Sequence, residues 1–130
     1  MAPRKAHPPD ELILAVRQFN DDAWFACHET LEDLWFTSAG EARDLYQGIL
    51  QIAVALHHWK NGNFAGAMKL IRSGLEHLDN LPPICQQVAV ADFVASIRDL
   101  QAALQRLGRE RIAELEPSLI PRLRWAAEPS

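Results

Sequence analysis

Apolar residues recur at helical spacing in every apolar-rich segment of the chain, and no segment shows the strict alternation of a half-buried strand. Leu12, Val16 and Phe19 predict a first short helix that ends near Asn20, with Asp10 as its cap. Trp24, Cys27, Leu31, Leu34 and Trp35 predict a second helix, capped by Asp21 or Asp22. After a break at Thr37 to Gly40, Ser38 with Glu41 has the form of a capping box and opens a third helix over about 41 to 60. The apolar residues of this third helix (Leu45, Tyr46, Ile49, Leu50, Ile52, Val54, Leu56, Trp59) lie almost all the way round it. Such a helix must be covered by neighbours on most sides.

Asn61-Gly62-Asn63 then supplies a left-handed closing residue in Gly62 and a cap for the next helix in Asn63. Phe64, Met68, Ile71, Leu75 and Leu78 form the core face of a fourth helix, in which Gly66 and Gly74 imply close backbone packing against the third. Asp79 to Pro83 is a stop. Phe93, Ile97, Leu100, Leu104 and Leu107 predict a fifth helix ended by Gly108, followed by a short turn around Arg109 to Leu115. The expected fold is therefore all-α without a sheet, a compact bundle of about five helices around a central buried third helix. Residues 1–9 read as a flexible arm, 10–116 as one helical domain and 117–130 as an irregular tail in which Trp125 covers the bundle or a neighbouring subunit.

Composition narrows the function classes. With 48% hydrophobic and 23% charged residues in 130, the chain has the makeup of one ordinary globular domain. A net charge of -4 removes the broad basic surface that phosphate backbones require, and the arginines from Arg106 to Arg124 are interleaved with Glu110, Glu114 and Glu116, so no nucleic-acid partner is expected. No membrane span, no signal peptide and no CxxC pair is read in the sequence; Cys27 and Cys85 are expected to be reduced core thiols and the address cytoplasmic. A homo-oligomer is left open.

Candidate chemistry lies where polar residues interrupt apolar faces. With Trp24 taken as the centre of the second helix's apolar arc, His28 falls about 40° and Glu32 about 80° from it at 100° per residue, so both are expected to be buried and paired, with Glu29 at the margin. On the third helix Gln47, Gln51 and His58 share one stripe, with His57 about 100° away. If the stripe faces His28 and Glu32, the bundle encloses a polar cluster of His28, Glu29, Glu32, Gln47, Gln51 and His58.

The same residues carry a resemblance. Phe19-Asn20, the run Trp24-Phe25-Ala26-Cys27-His28-Glu29-Thr30-Leu31-Glu32 with Trp35, the run from Tyr46 to Ala55, and Gly62-Asn63 resemble the signature of the bacterial and archaeal domain-of-unknown-function family 309. The resemblance implies a compact helical bundle and no established activity. The chain departs from the family pattern at Asp22, where glycine is usual, and at Ala26, where a glutamate usually precedes the HE pair.

Two functions follow from the cluster. One is a non-catalytic binding or adaptor domain that takes a small ligand or a protein and needs no cofactor. The other is a metal-dependent, hydrolase-like enzyme with His28, Glu32 and His58 (or His57) as ligands of a divalent metal and Glu29 as candidate catalytic base. HExxE is not the HExxH of zinc proteases, and neither an ExxH pair, a nucleophile-elbow serine nor a glycine-rich phosphate loop occurs.

Overall fold

The computed structural model describes residues 7–127. It contains five α-helices among the described residues: α1 (Asp10–Asn20), α2 (Trp24–Phe36), α3 (Gly40–Lys60), α4 (Phe64–Leu78) and α5 (Val90–Leu107). Between α4 and α5 lies a two-residue-per-strand antiparallel hairpin, β1 (Ile84–Cys85) and β2 (Val88–Ala89), and α5 is followed by 3-10 turns at Arg109–Glu114 and Pro117–Leu119. The protein is all-α apart from that hairpin, which the periodicity of the sequence does not register. Most of the N-terminal arm lies outside the described residues.

α3 is the centre, as its all-round apolar pattern requires: Leu45, Tyr46, Gly48, Ile49, Leu50, Ile52, Ala53, Ala55 and Leu56 are all buried. α2 and α4 both pack on it, α1 lies on α2, and α5 lies on α4. The contact with α4 is the tightest. A Cβ built on Gly48 would stand 2.5 Å from Leu78 Cδ2 and 3.4 Å from the carbonyl oxygen of Gly74, and one built on Gly74 would stand 2.7 Å from Ile52 Cδ1 and 3.2 Å from the carbonyl oxygen of Gly48. The two glycines face each other, so the helices meet backbone to backbone. Gly66 serves a different purpose: a Cβ there would press on the Asn63 side chain at 2.6 Å, the very group that caps α4.

Helix ends follow the predicted chemistry at one connection and depart from it at three. Asn63 caps α4 by accepting from the Gly66 N–H at 2.9 Å, and Gly62 sits at φ 75°. Elsewhere the expected caps are not used. Asp10 is already inside the first turn of α1, where its charge favours the positive helix end but its side chain makes no cap bond. Ala23 precedes α2, and Asp22 instead occupies the left-handed region at φ 62°, a conformation Asp tolerates better than most residues and one that glycine adopts freely. Ser38 turns back to donate to the Leu34 carbonyl at 2.7 Å, so it closes α2 rather than opening α3.

The core extends past residue 116, where helical periodicity stops. Leu123 is buried, Trp125 packs against the core and pairs antiparallel with Val88, and Trp59 Nε1 donates to the Ile112 carbonyl at 3.0 Å, pinning the first 3-10 turn onto α3. Trp125 thus covers the bundle of its own chain.

Gly48→Val is expected to destabilise the fold by about 1–3 kcal/mol through overpacking against Leu78. Gly62→Val, with nothing near its Cβ, is expected to cost about 1–2 kcal/mol by backbone strain alone. Urea melts check both, and parental stability of Gly48→Val would show that the helices do not meet as described.

Candidate functional site

His28 and Glu32 do pair: Nε2 and Oε2 are 3.1 Å apart across one turn of α2. The pair is not buried, however, since the Glu32 side chain is 58% exposed and His28 26%. The reason lies in the true centre of the apolar arc. Trp24, Cys27 and Leu31 are the buried residues of α2, and their mean direction places Glu32 about 105° away rather than 80° by the 100° rule. Glu29 is exposed. An exposed carboxylate needs no partner to offset desolvation, so the physical premise for an enclosed polar cluster does not hold for Glu29 and Glu32.

The α3 stripe divides as well. Gln47 and Gln51 are half-buried, whereas His58 Nδ1 accepts from Asn63 Nδ2 at 3.2 Å and is committed to the turn between α3 and α4. His57 Nε2 lies 3.2 Å from Asn61 Nδ2, yet its ring also stacks at 6.0 Å from Phe25, which in turn lies 5.9 Å from the His28 ring. The structure therefore brings His28 toward His57, through Phe25, while His58, its ring 6.4 Å from that of His57, is bonded to the α3–α4 turn. Among the described residues no group of three or more His, Cys, Asp or Glu side chains is placed to hold a metal ion.

What the helices do create is a small cleft of about 140 Å³ between α2 and α3, lined by Trp24, Phe25, His28, Val54 and His57. Trp24 forms its floor against Trp59, edge to face at 6.3 Å. Three buried polar atoms lie without a partner in this part of the bundle: Trp24 Nε1 and His28 Nδ1 on residues that line the cleft, and Gln51 Oε1 one turn before Val54. Buried polar atoms in folded proteins are nearly always bonded, and an unbonded one costs about 1–3 kcal/mol. With Nε2–H turned to Glu32, neutral His28 offers an acceptor at Nδ1, and the Trp24 indole offers a donor. Trp24 enters the site as the core residue that the periodicity marks, whereas Phe25 is exposed and outside that pattern; the unpartnered indole N–H of Trp24 could not be read from spacing.

Two larger depressions, of about 480 and 300 Å³, flank α5. The first is lined by Asp92, Asp99, Arg122 and Arg124, all exposed, and neither holds an unpartnered buried polar atom. Size alone does not make either the better site.

Comparison with known proteins places the cleft in a family context. Residues 12–70 match the sequence model of the family described as "Domain of unknown function (DUF309)". That segment is similar to a DUF309 domain. It contains most of α1, all of α2 and α3 and about half of α4, and hence every residue of the cleft. The chain is also similar to "Uncharacterized protein YpuF" of Bacillus subtilis (strain 168), 39% identical over 56 residues, which is 42% of this chain and 32% of that protein. An "Uncharacterized protein" of Aquifex aeolicus (strain VF5) is 24% identical over 83 residues, 63% of this chain and 25% of that protein. The matched stretches thus span a third or less of the length of these relatives.

Neither cysteine is set up for nucleophilic chemistry. Both are unpaired and buried, and burial pushes the Cys27 thiol up to about 12 and raises Cys85 as well. Cys27 makes stability depend on alkaline pH. The unfolded chain releases that proton near the ordinary value of 9.0, while the folded chain holds it to about 12. Between those values the unfolded state binds fewer protons, so stability falls as pH rises through this window and is unaffected below it. Tyr46, raised by burial, acts in the same direction. Urea midpoints should be flat up to about pH 9 and decline above it, with a shallower decline in Cys27→Ala; equal slopes would assign the effect elsewhere. Glu32→Gln should change stability by no more than about 0.5 kcal/mol, the usual worth of an exposed i,i+4 pair, and a loss of several kcal/mol in the same melts would restore a buried role for Glu32.

Proposed function

We propose that the chain is a non-catalytic binding domain whose ligand seat is the cleft between α2 and α3. The observation that carries this reading is the pair of unpartnered buried atoms on cleft-lining residues, Trp24 Nε1 and His28 Nδ1, in a cleft walled by aromatic and imidazole rings. A buried polar atom without a partner in the protein is open to a bond from another molecule. The size of the cleft limits that molecule. About 140 Å³ is close to the roughly 150 Å³ cavity that holds one benzene ring, and well under the roughly 300 Å³ at which sites for whole cofactors begin.

The ligand group is therefore one ring bearing a hydroxyl or carboxamide that can accept from the Trp24 indole and donate to His28 Nδ1. Such a group is either a small aromatic molecule or one side chain of a protein partner, and the net charge of -4 argues against nucleic acid. A cytoplasmic address fits two unpaired cysteines. A second reading, a divalent metal bound through His28 and Glu32, rests on the 3.1 Å pair alone.

Titration with phenol, benzamide and imidazole, followed by nuclear magnetic resonance, tests the proposal. The Trp24 indole N–H and His28 ring resonances should shift saturably with at least one of them, and Val54→Trp, which fills the cleft, should abolish the shift. No response at Trp24 to any of the three would sink the reading. A stoichiometric shift of His28 by zinc, lost in Glu32→Gln, would favour the metal instead.

A further inference from the structure

Residues 122–126 lie outside the segment matched by the family model and line no part of the cleft, yet they are gripped from two sides. The Asn20 side chain bonds both backbone groups of Leu123: Nδ2 donates to its carbonyl at 2.9 Å and Oδ1 accepts from its N–H at 2.8 Å. On the other side the edge of β2 takes the next residues, with Ala89 N–H donating to the Arg124 carbonyl at 2.9 Å and Ala126 N–H donating to the Gln87 carbonyl at 2.7 Å. Val88 and Trp125 form the antiparallel bridge between these bonds. Side chains alternate in burial: Leu123 and Trp125 turn to the core, while Arg122, Arg124 and Ala126 are exposed.

This is how a sheet edge accepts an extended peptide. Main-chain bonds supply affinity for any sequence, and alternate side chains in pockets supply selectivity. Four of the bonds read only the backbone of the segment, and the segment's own side-chain donor among these contacts, Arg122 Nη1 to the Asn20 carbonyl at 2.7 Å, is exposed. Such a grip does not depend on covalent connection to the bundle.

We propose that the groove between Asn20 and β2 is a docking site for an extended segment with a leucine and a tryptophan two residues apart. Here the chain's own residues 122–126 fill it, and the partner it fits is the same segment of a second copy. The cis segment then acts as a competitor that a second strand must displace.

The probe is a labelled peptide of residues 120–127, Ile-Pro-Arg-Leu-Arg-Trp-Ala-Ala, followed by fluorescence polarisation with the full chain. Leu123→Ala loosens the cis segment and leaves the groove intact, so it should bind the peptide at least tenfold more tightly than the parent. Adding Asn20→Ala should remove that gain, and a peptide with alanine for tryptophan should not bind. Equal binding by the parent and a helically intact Leu123→Ala chain would overturn the proposal. Amide exchange on the parent decides independently of any variant's folding. The N–H groups of Ala89, Leu123 and Ala126 should exchange together at least tenfold faster than those of Ile52 and Ala53, because the segment lifts without global unfolding. Exchange of all five at one common rate would show the segment to be an inseparable part of the core.

Discussion

The contact of α3 with α4 through Gly48 and Gly74 sets the geometry of the whole bundle. Two helices with side chains between them lie about 8–10 Å apart; where each presents a bare backbone they close to the lower end of that range, and Leu78 and Ile52 fill the space beside the glycines. The entropic cost of glycine within a helix, about 1 kcal/mol each relative to alanine, is offset by dispersion contacts along the seam. His77 Nδ1 with Asp44 Oδ1 at 3.1 Å ties the same two helices one step further along. With α4 seated this closely, α3 has one flank closed, and the remaining apolar arc must be covered by α2.

That second contact is looser because it is made by large rings rather than by glycine. Trp24, Phe25, Trp59, His28 and His57 cannot fill the interface as completely as Leu and Ile do, since flat rings meeting edge to face or at a tilt leave wedges between them. The cleft is such a wedge. Its polar atoms are isolated for the same reason: an indole N–H and an imidazole nitrogen fixed by ring packing cannot rotate to find partners as a hydroxyl can.

The helices were legible from apolar spacing because each buries one continuous face, and α3 because it buries nearly all of its circumference. Gly62 and Asn63 were legible because a left-handed closure followed by a cap is a local event, decided within a few residues. The caps expected at Asp10, at Asp21 or Asp22 and at Ser38 were not, since whether such a side chain turns forward or backward depends on where the preceding helix ends; Asp21 closes α1 and Ser38 is held by Leu34 behind it. Glu32 falls on the buried side only when the arc is centred on Trp24, and Cys27 and Leu31 pull that centre the other way. Gly74 showed its packing role, but its counterpart Gly48 could be recognised only once the two helices were side by side. The hold on residues 122–126 left no mark in the sequence, because backbone bonds place little demand on residue type.

The hairpin turn has a bearing on how the molecule assembles. Gln86 and Gln87 both stand at positive φ, 47° and 67°, where Asn-Gly would be comfortable and glutamine is not. The turn has no local preference to start it and is secured from outside, by the Tyr46 hydroxyl donating to Gln86 Oε1 at 2.8 Å. Tyr46 reaches that position only when α3 is already buried. Contacts between residues far apart in sequence are slower to form than local ones, so the hairpin, and the strand that joins its edge, are expected to follow the helices. The contact that secures the hairpin spans 40 residues of chain, so the turn belongs to the tertiary structure and owes little to its own two residues.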